Sequence, residues 1–420
     1  MRVIILLLTI ALWSTLALSK DEVALLVSRN ESHLTRAELI RKETKELRLN
    51  TFTFNVDDFG KETLGLLAEA AERGVKVRLT IDGFEGTLPK NYAMLRALES
   101  AGVEVKLFNP IFRKILSVNY RNHQKSLIGS DFMILGDRNM TGDYFKLRGS
   151  HNYIGMDVLV KGKQVTEARN HYDEVFRSDQ MMRHAGIALK DGELEAAKRE
   201  LENWKVDAKK IPAPRLPLET GNLDVTDHVK YVADKSGGRW SKKPYALHFS
   251  IVEMINEAKT SLDFMNPYVL LTPETKKAVE NAVKRGVKVR VLSNSAGSTD
   301  SHLMGMAWDF QKQKLVEMGV EVHELKPGQF LHAKTIVKDM DEVFVGSFNL
   351  DPRSQNLNLE NGIFIKDKKI AKRVDEYNKR IRERLMVKVE KEVKPVKPTV
   401  AYCTKRALRK MVSKIMFPLL

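Results

Sequence analysis

The chain states one pattern twice. Ala71-Glu72-Arg73-Gly74-Val75-Lys76-Val77-Arg78-Leu79 returns 212 positions later as Val283-Lys284-Arg285-Gly286-Val287-Lys288-Val289-Arg290-Val291. Gly102-Val103-Glu104-Val105 returns as Gly319-Val320-Glu321-Val322 at an offset of 217. His123-Gln124-Lys125 returns as His332-Ala333-Lys334 (offset 209), and Gly136-Asp137-Arg138-Asn139 as Gly346-Ser347-Phe348-Asn349 (offset 210). Four collinear matches at a nearly constant offset mark a tandem duplication, and that constrains the fold more than any single motif. Every element of one half must have a counterpart in the other.

Within each copy, helical patterns alternate with short β-branched runs. The Ala/Leu/Glu-rich stretch Leu64 to Arg73 reads as a helix that Gly74 ends, followed by a strand from Val75 to Ile81. The second copy repeats this with a helix over Glu274 to Lys284, Gly286, and a strand over Val287 to Leu292. Helices alternating with apolar strands imply an α/β unit whose strands are covered on both faces. Five segments follow. Residues 1–19 are an export signal, 20–178 the first unit, 179–244 a linker or insertion, 245–385 the second unit, and 386–420 a basic tail.

The N-terminus carries one positive charge, an apolar run from Val3 to Trp13 and the small residues Ala17 and Ser19, which fits a secretory signal cleaved before Lys20. An uncleaved anchor is the alternative, since Val3 to Leu18 is only slightly short of a membrane span. Either way the expected location is exported or membrane-associated. With 70 basic against 54 acidic side chains, the net charge of +16 favours anionic partners without choosing among lipid, nucleic acid and phosphorylated small molecules. In the tail, Ala401 to Leu420 has apolar residues on one helical face and Lys405, Arg406, Arg409, Lys410 and Lys414 mostly on the other. A basic amphipathic helix suits an anionic membrane surface, and a helix docked on the catalytic domain with its basic face in solvent is the alternative. Cys403 is the only cysteine, so a disulfide framework within the chain and a cysteine-based zinc site are both excluded.

Chemistry concentrates at the repeated histidines. His332 and Lys334 lie two apart in a strand-like run, so both face one side. A turn at Asp339 and a returning strand, Val343 to Val345, bring Asn349 beside them. The first copy supplies His123, Lys125 and Asn139. Two histidines, two lysines and two asparagines about a pseudo-twofold axis suit a phosphate ester. Lysine and asparagine can bind the non-bridging oxygens. One neutral histidine can attack phosphorus while the other, protonated, donates to the leaving alcohol. This route needs no metal or other cofactor, and no metal-ligand cluster stands out.

His332-x-Lys334, Asp339 and Gly346-Ser347-x-Asn349 together resemble the signature of the phospholipase D superfamily. The run Gly346 to Ser354, followed by Leu357-Asn358-Leu359-Glu360, resembles bacterial cardiolipin synthases, and so do Asn55 to Gly60 and Ala70 to Gly83. The likeness covers most of Glu22 to Arg384. It implies a duplicated α/β/α sandwich whose halves share one active site, and phosphatidyl transfer through a phosphohistidine on a phospholipid such as phosphatidylglycerol. Hydrolysis to phosphatidic acid, or a nuclease of the same family, is the alternative; nucleic acid is the less favoured partner, and the oligomeric state is open. The likeness also implies His123 as nucleophile and His332 as general acid/base. Carboxylates on the following strands would orient the histidines, Glu360 for His332 and Asp157 for His123, with Ser347, Asp339 and Asp131 in support. The first motif departs from the pattern. Its hairpin is one residue shorter, Ser130 holds the aspartate position with Asp131 next to it, and Asp137 replaces the usual small residue. That puts an extra negative charge near the phosphate site.

Overall fold

The computed structural model describes residues 20–86, 89–110, 119–145, 153–183, 187–214, 223–235, 246–299 and 301–392; the apolar N-terminus and the basic segment 401–420 lie outside them. The duplicated helix–glycine–strand unit forms as the sequence predicts. Helix Asp58–Glu72 is followed by Gly74 at φ 89°, and helix Pro273–Lys284 by Gly286 at φ 86°. Both glycines occupy the left-handed conformation that ends a helix without a Cβ clash. The next residue closes the turn in each case, Val75 N–H onto Ala70 O and Val287 N–H onto Ala282 O. The strands then begin at Lys76 and Lys288.

Each half builds a mixed sheet. Three parallel strands, Glu46–Thr51, Lys76–Asp82 and Glu104–Phe108, continue into the antiparallel strands Ser126–Ile128, Phe132–Gly136 and Asp157–Lys161. Their counterparts are Ser261–Met265, Lys288–Asn294 and Glu321–Leu325, continuing into Thr335–Lys338, Glu342–Gly346 and Asn361–Lys366. Helices cover the outer face of each sheet, with cores centred on residues such as Leu64, Leu67 and Leu79 in one half and Leu262, Val279 and Val291 in the other. The inner faces form a single core. Ile128, Leu135 and Val158 of the first half share it with Val337, Val345 and Ile363 of the second, and helices Lys163–Arg177 and Lys368–Leu385 complete it. The α/β duplication is therefore one molecule with a continuous central layer.

The segment between the copies carries ordered elements. Met181–Met182 and Asp224–Thr226 extend the two edges of the first sheet, Val229–Ala233 extends the second, and helix Glu193–Ala208 packs on Asp58–Glu72. Among the described residues no helix is long and apolar enough to cross a membrane.

Two short parallel pairings clasp the halves directly at the site. Arg121–Asn122, just before His123, pairs with Asn358–Leu359, and Phe330–Leu331, just before His332, pairs with Tyr153–Ile154. The main-chain N–H of His123 donates to Leu359 O (2.9 Å), and that of His332 to Ile154 O (2.8 Å). Each histidine is thus pinned to the other half.

Candidate active site

Both hairpins hold their lysine and asparagine as the spacing predicts. The register on the site side is the same, with Ser126 opposite Leu135 and Thr335 opposite Val345. The residue missing from the first hairpin is taken out of the turn, away from His123. Lys125 and Lys334 are buried and each donates to the main-chain carbonyl of its own histidine, Lys334 at 2.7 Å. Lys334 Nζ also lies 3.2 Å from both ring nitrogens of His332. Asn139 accepts from Thr53 N–H (3.2 Å) and donates to the Tyr144 hydroxyl (2.9 Å). The Asn349 amide oxygen has no partner among the described residues.

The orienting carboxylates are crossed between halves, which corrects the expectation from sequence. Glu360 serves His123 rather than His332: both its oxygens lie 2.9 Å from His123 Nδ1. It is held in turn by Ser347 Oγ, by Ser354 Oγ at 2.7 Å and by Asn358 Nδ2 at 3.1 Å. Asp157, expected beside His123, is turned onto Arg138 (2.7 Å), Ser32 (2.8 Å) and Arg36 (3.0 Å). The carboxylate nearest His332 is Asp137, with Oδ1 3.4 Å from Nδ1. Its other oxygen accepts the Met156 N–H. The charge read from sequence as an intrusion on the phosphate site is the second histidine's orienting group.

Sheet register explains the exchange. Gly136 faces Asp157, and Gly346 faces Gly362, so Asp157 corresponds to Gly362 and Gly155 to Glu360. Asp137 corresponds to Ser347. The second half puts its carboxylate in the segment leading into its last strand and a serine in the turn, whereas the first puts it in the turn and leaves glycine in that segment. A Cβ at Gly155 would run into the Asp137 carboxylate. The two arrangements are alternatives, and each half has one.

Asp339 and Asp131 lie away from the histidines. Asp339 sits in the second hairpin's turn and accepts the N–H groups of Lys259, Thr260 and Ser261, fixing the start of the neighbouring strand. In the first half Ser130 stands there, and Glu43 reaches it from the neighbouring turn, accepting from Ser130 N–H at 2.8 Å. Asp131 pairs at the surface with Lys161. Tyr268 packs 6.3 Å from the Phe330 ring.

Burial dominates the site's electrostatics. It pushes His123 down to about 4, with Lys125 and Lys334 adding to the effect against the opposing pull of Glu360. His332 is lowered well below the usual imidazole range by burial, Lys334 and Lys125. Burial, reinforced by Lys334, also lowers Lys125 well below the usual ammonium range. Burial would raise Glu360, but His123, Lys125 and the Ser347 hydroxyl together hold the carboxyl below its ordinary value. Asp137 is raised to about 6, by burial first and then by Asp157. The result is two neutral imidazoles, each with Nδ1 facing a carboxylate. Their Nε2 atoms are left to do chemistry. Among the described residues no group of three or more His, Cys, Asp or Glu side chains could hold a metal ion.

The family model described as cardiolipin synthase, phospholipase D-like domain, matches residues 37–179 and 251–382, most of both halves. The chain belongs to the phospholipase D superfamily. It is an enzyme of that superfamily. A cardiolipin synthase of Clostridium perfringens is 27% identical over 363 residues, covering 85% of this chain and 69% of that protein. Cardiolipin synthase C of Escherichia coli is 27% identical over 389 residues, covering 82% and 81%. The fold is also that of the phosphatidylserine synthase of Haemophilus influenzae, with a TM-score of 0.68 at 13% identity over 96% of this chain and 97% of that one.

Sequence reasoning missed several site residues. Asp82 was not singled out, although it anchors the strand before His123 by accepting from Asn122 N–H (2.9 Å) and Arg121 (3.0 Å). Phe52 packs edge-on to His123 at 5.0 Å, while Tyr144, Tyr153 and Phe330 surround His332 at 5.0, 6.1 and 5.9 Å. Tyr144 carried a usable signal: it follows Asn139 by five residues, as Ser354 follows Asn349.

Proposed function

We propose that this enzyme is a phosphatidyltransferase of the cardiolipin synthase type. It moves a phosphatidyl group from one phosphatidylglycerol, or a closely related phospholipid, to the alcohol of another. The observation that carries this reading is the crossed pairing of both histidines in one buried site. In the first step His123 Nε2 attacks phosphorus, a phosphohistidine forms, and the leaving glycerol oxygen takes a proton from His332 Nε2. In the second, the incoming alcohol gives its proton to His332 as its oxygen displaces His123 from phosphorus. Lys125, Lys334, Asn139 and Asn349 bind the non-bridging oxygens. The order follows from orientation, because Glu360 grips His123 with two 2.9 Å contacts while Asp137 stands 3.4 Å from His332. An anionic phosphodiester between the lysines favours the protonated His332 that the first step requires.

The test incubates residues 20–420 with phosphatidylglycerol vesicles and weighs the lipid products. Cardiolipin supports transfer, whereas phosphatidic acid alone makes water the acceptor. No lipid product together with cleavage of DNA would replace this reading by the nuclease one.

Two further results are expected. With His123 at about 4, the nucleophile stays unprotonated from neutral pH down to about 5. The acid limb of kcat/KM therefore lies near pH 4, and removing the Glu360 charge in Glu360→Gln moves it lower. A limb near 6.5, the ordinary imidazole value, would contradict the assignment. We also place the chain at an exported or membrane-facing site, with the tail as its contact to anionic lipid. Truncation after residue 400 is then expected to weaken binding to phosphatidylglycerol vesicles by about tenfold or more, while turnover of detergent-dispersed lipid is kept. Equal sedimentation of both forms with vesicles would count against the tail.

A further inference from the structure

The two halves use corresponding positions for different work. In the second half Ser354 turns its hydroxyl to Glu360 (2.7 Å) and to the N–H of Asn349 (3.1 Å), so its contacts stay within its own half and it reaches His123 only through Glu360. In the first half the corresponding residue is Tyr144, whose hydroxyl crosses the interface to within 3.3 Å of His332 Nε2. With Nδ1–H facing Asp137, Nε2 carries the lone pair and the tyrosine donates. The same hydroxyl accepts from Asn139 Nδ2 (2.9 Å). Tyr144 sits in the short helical turn Gly142–Tyr144, fixed by Gly142 N–H donating to Asp57 (2.7 Å) and by Tyr144 N–H donating to Thr141 O.

The surroundings of the histidines differ in the same sense. Among the described residues His123 has one aromatic neighbour, Phe52, whereas His332 is walled by Tyr144, Tyr153 and Phe330, with Tyr153 and Phe330 tilted against each other 4.7 Å apart on the strand pair that clasps the halves. Three rings therefore surround the imidazole, and one hydroxyl reaches the nitrogen proposed to exchange protons with alcohols. Rings shed bulk water, and a hydroxyl already bonded to that nitrogen stands where an acceptor hydroxyl must come to hand over its proton.

We propose that Tyr144 selects an alcohol over water as the acceptor. The inference builds on the phosphatidyl-transfer reading above. When the acceptor arrives, the Tyr144 O–H turns from His332 Nε2 to the acceptor oxygen while still accepting from Asn139. The acceptor's proton passes to Nε2, its oxygen bonds phosphorus, and the bond from phosphorus to His123 breaks. Tyr144 keeps its own proton throughout. Until the acceptor arrives the Tyr144 hydroxyl caps Nε2, so a water molecule reaches that nitrogen only by displacing it, and without the apolar contacts with which a lipid alcohol meets the rings.

The experiment measures product partition for the full chain and Tyr144→Phe, which keeps the ring and removes only the hydroxyl. Phosphatidylglycerol vesicles serve as substrate, cardiolipin is weighed as the product of transfer and phosphatidic acid as that of hydrolysis, and thermal unfolding confirms that both proteins are folded. The variant is expected to lower the ratio of transfer to hydrolysis by about tenfold, the worth of the one hydrogen bond that keeps water off Nε2. An unchanged ratio overturns the inference, whatever happens to the total rate. A wild type that yields only phosphatidic acid, or no lipid product at all, instead removes the transfer reading on which the inference builds, and the two failures are distinct.

Discussion

Replacing either His123 or His332 by alanine is expected to lower lipid turnover by about four orders of magnitude or more, and replacing both should cost little beyond either single change. In the proposed cycle the two imidazoles act in sequence on one phosphorus, so losing either one stops it. Their failures differ in kind. His332→Ala keeps the nucleophile, with Nδ1 still gripped by Glu360, and lacks only the proton donor and acceptor. Given a phosphatidyl ester of a good leaving group such as p-nitrophenol, it should still form the phosphohistidine and then hold it, because nothing activates the second alcohol. A covalent adduct on His123 should be seen by mass spectrometry in His332→Ala and be absent from His123→Ala. An adduct on His332 in the complementary variant would reverse the assignment. Equal activity of wild type and both variants on lipid and DNA would remove the enzyme mechanism altogether.

Moving the first half's carboxylate to where the second half keeps its own is expected to rescue what each single change destroys. Asp137→Ser leaves His332 Nδ1 facing a neutral group, and the loss should be on the order of 100-fold in kcat, typical of removing a group that orients a functional histidine. Gly155→Glu alone should fare at least as badly, because its side chain meets the Asp137 carboxylate already in place and two buried anions then compete for one site. The double variant reproduces the Ser347/Glu360 arrangement, and its activity should return to within about tenfold of wild type, a coupling that a double-variant cycle measures directly. Additive losses would show that Asp137 supports the fold rather than the histidine. The contact geometry favours coupling, since Gly155 immediately follows Ile154, whose carbonyl holds the His332 N–H.

Much of this was legible in the sequence, and the reason is periodicity. A repeat of nearly constant offset needs no knowledge of contacts. Two-residue spacing put His332 with Lys334 on one face, and Gly74 and Gly286 announced helix ends through the left-handed conformation they adopt. The hairpins followed from the apolar runs that flank Asp339 and Ser130. These are local properties of the chain, decided within a few residues.

The partnerships were not local. Reading each motif within its own half assigned Glu360 to His332 and Asp157 to His123, as though each unit were complete. The clasps between Arg121–Asn122 and Asn358–Leu359, and between Phe330–Leu331 and Tyr153–Ile154, place each histidine against the other half's strand. Irregularities in the first motif then acquire meaning. Asp137 replaces the carboxylate that Gly155 lacks, and Glu43 reaches Ser130 where the second half has Asp339. By itself, the sequence determined the duplicated α/β fold and the inventory of two histidines, two lysines and two asparagines, because hydrophobic period and residue spacing fix which side chains share a face. Which carboxylate orients which histidine, and that Tyr144 meets His332, only the tertiary structure decided: those contacts span 188 to 237 residues of chain and exist only once the two inner sheet faces have packed.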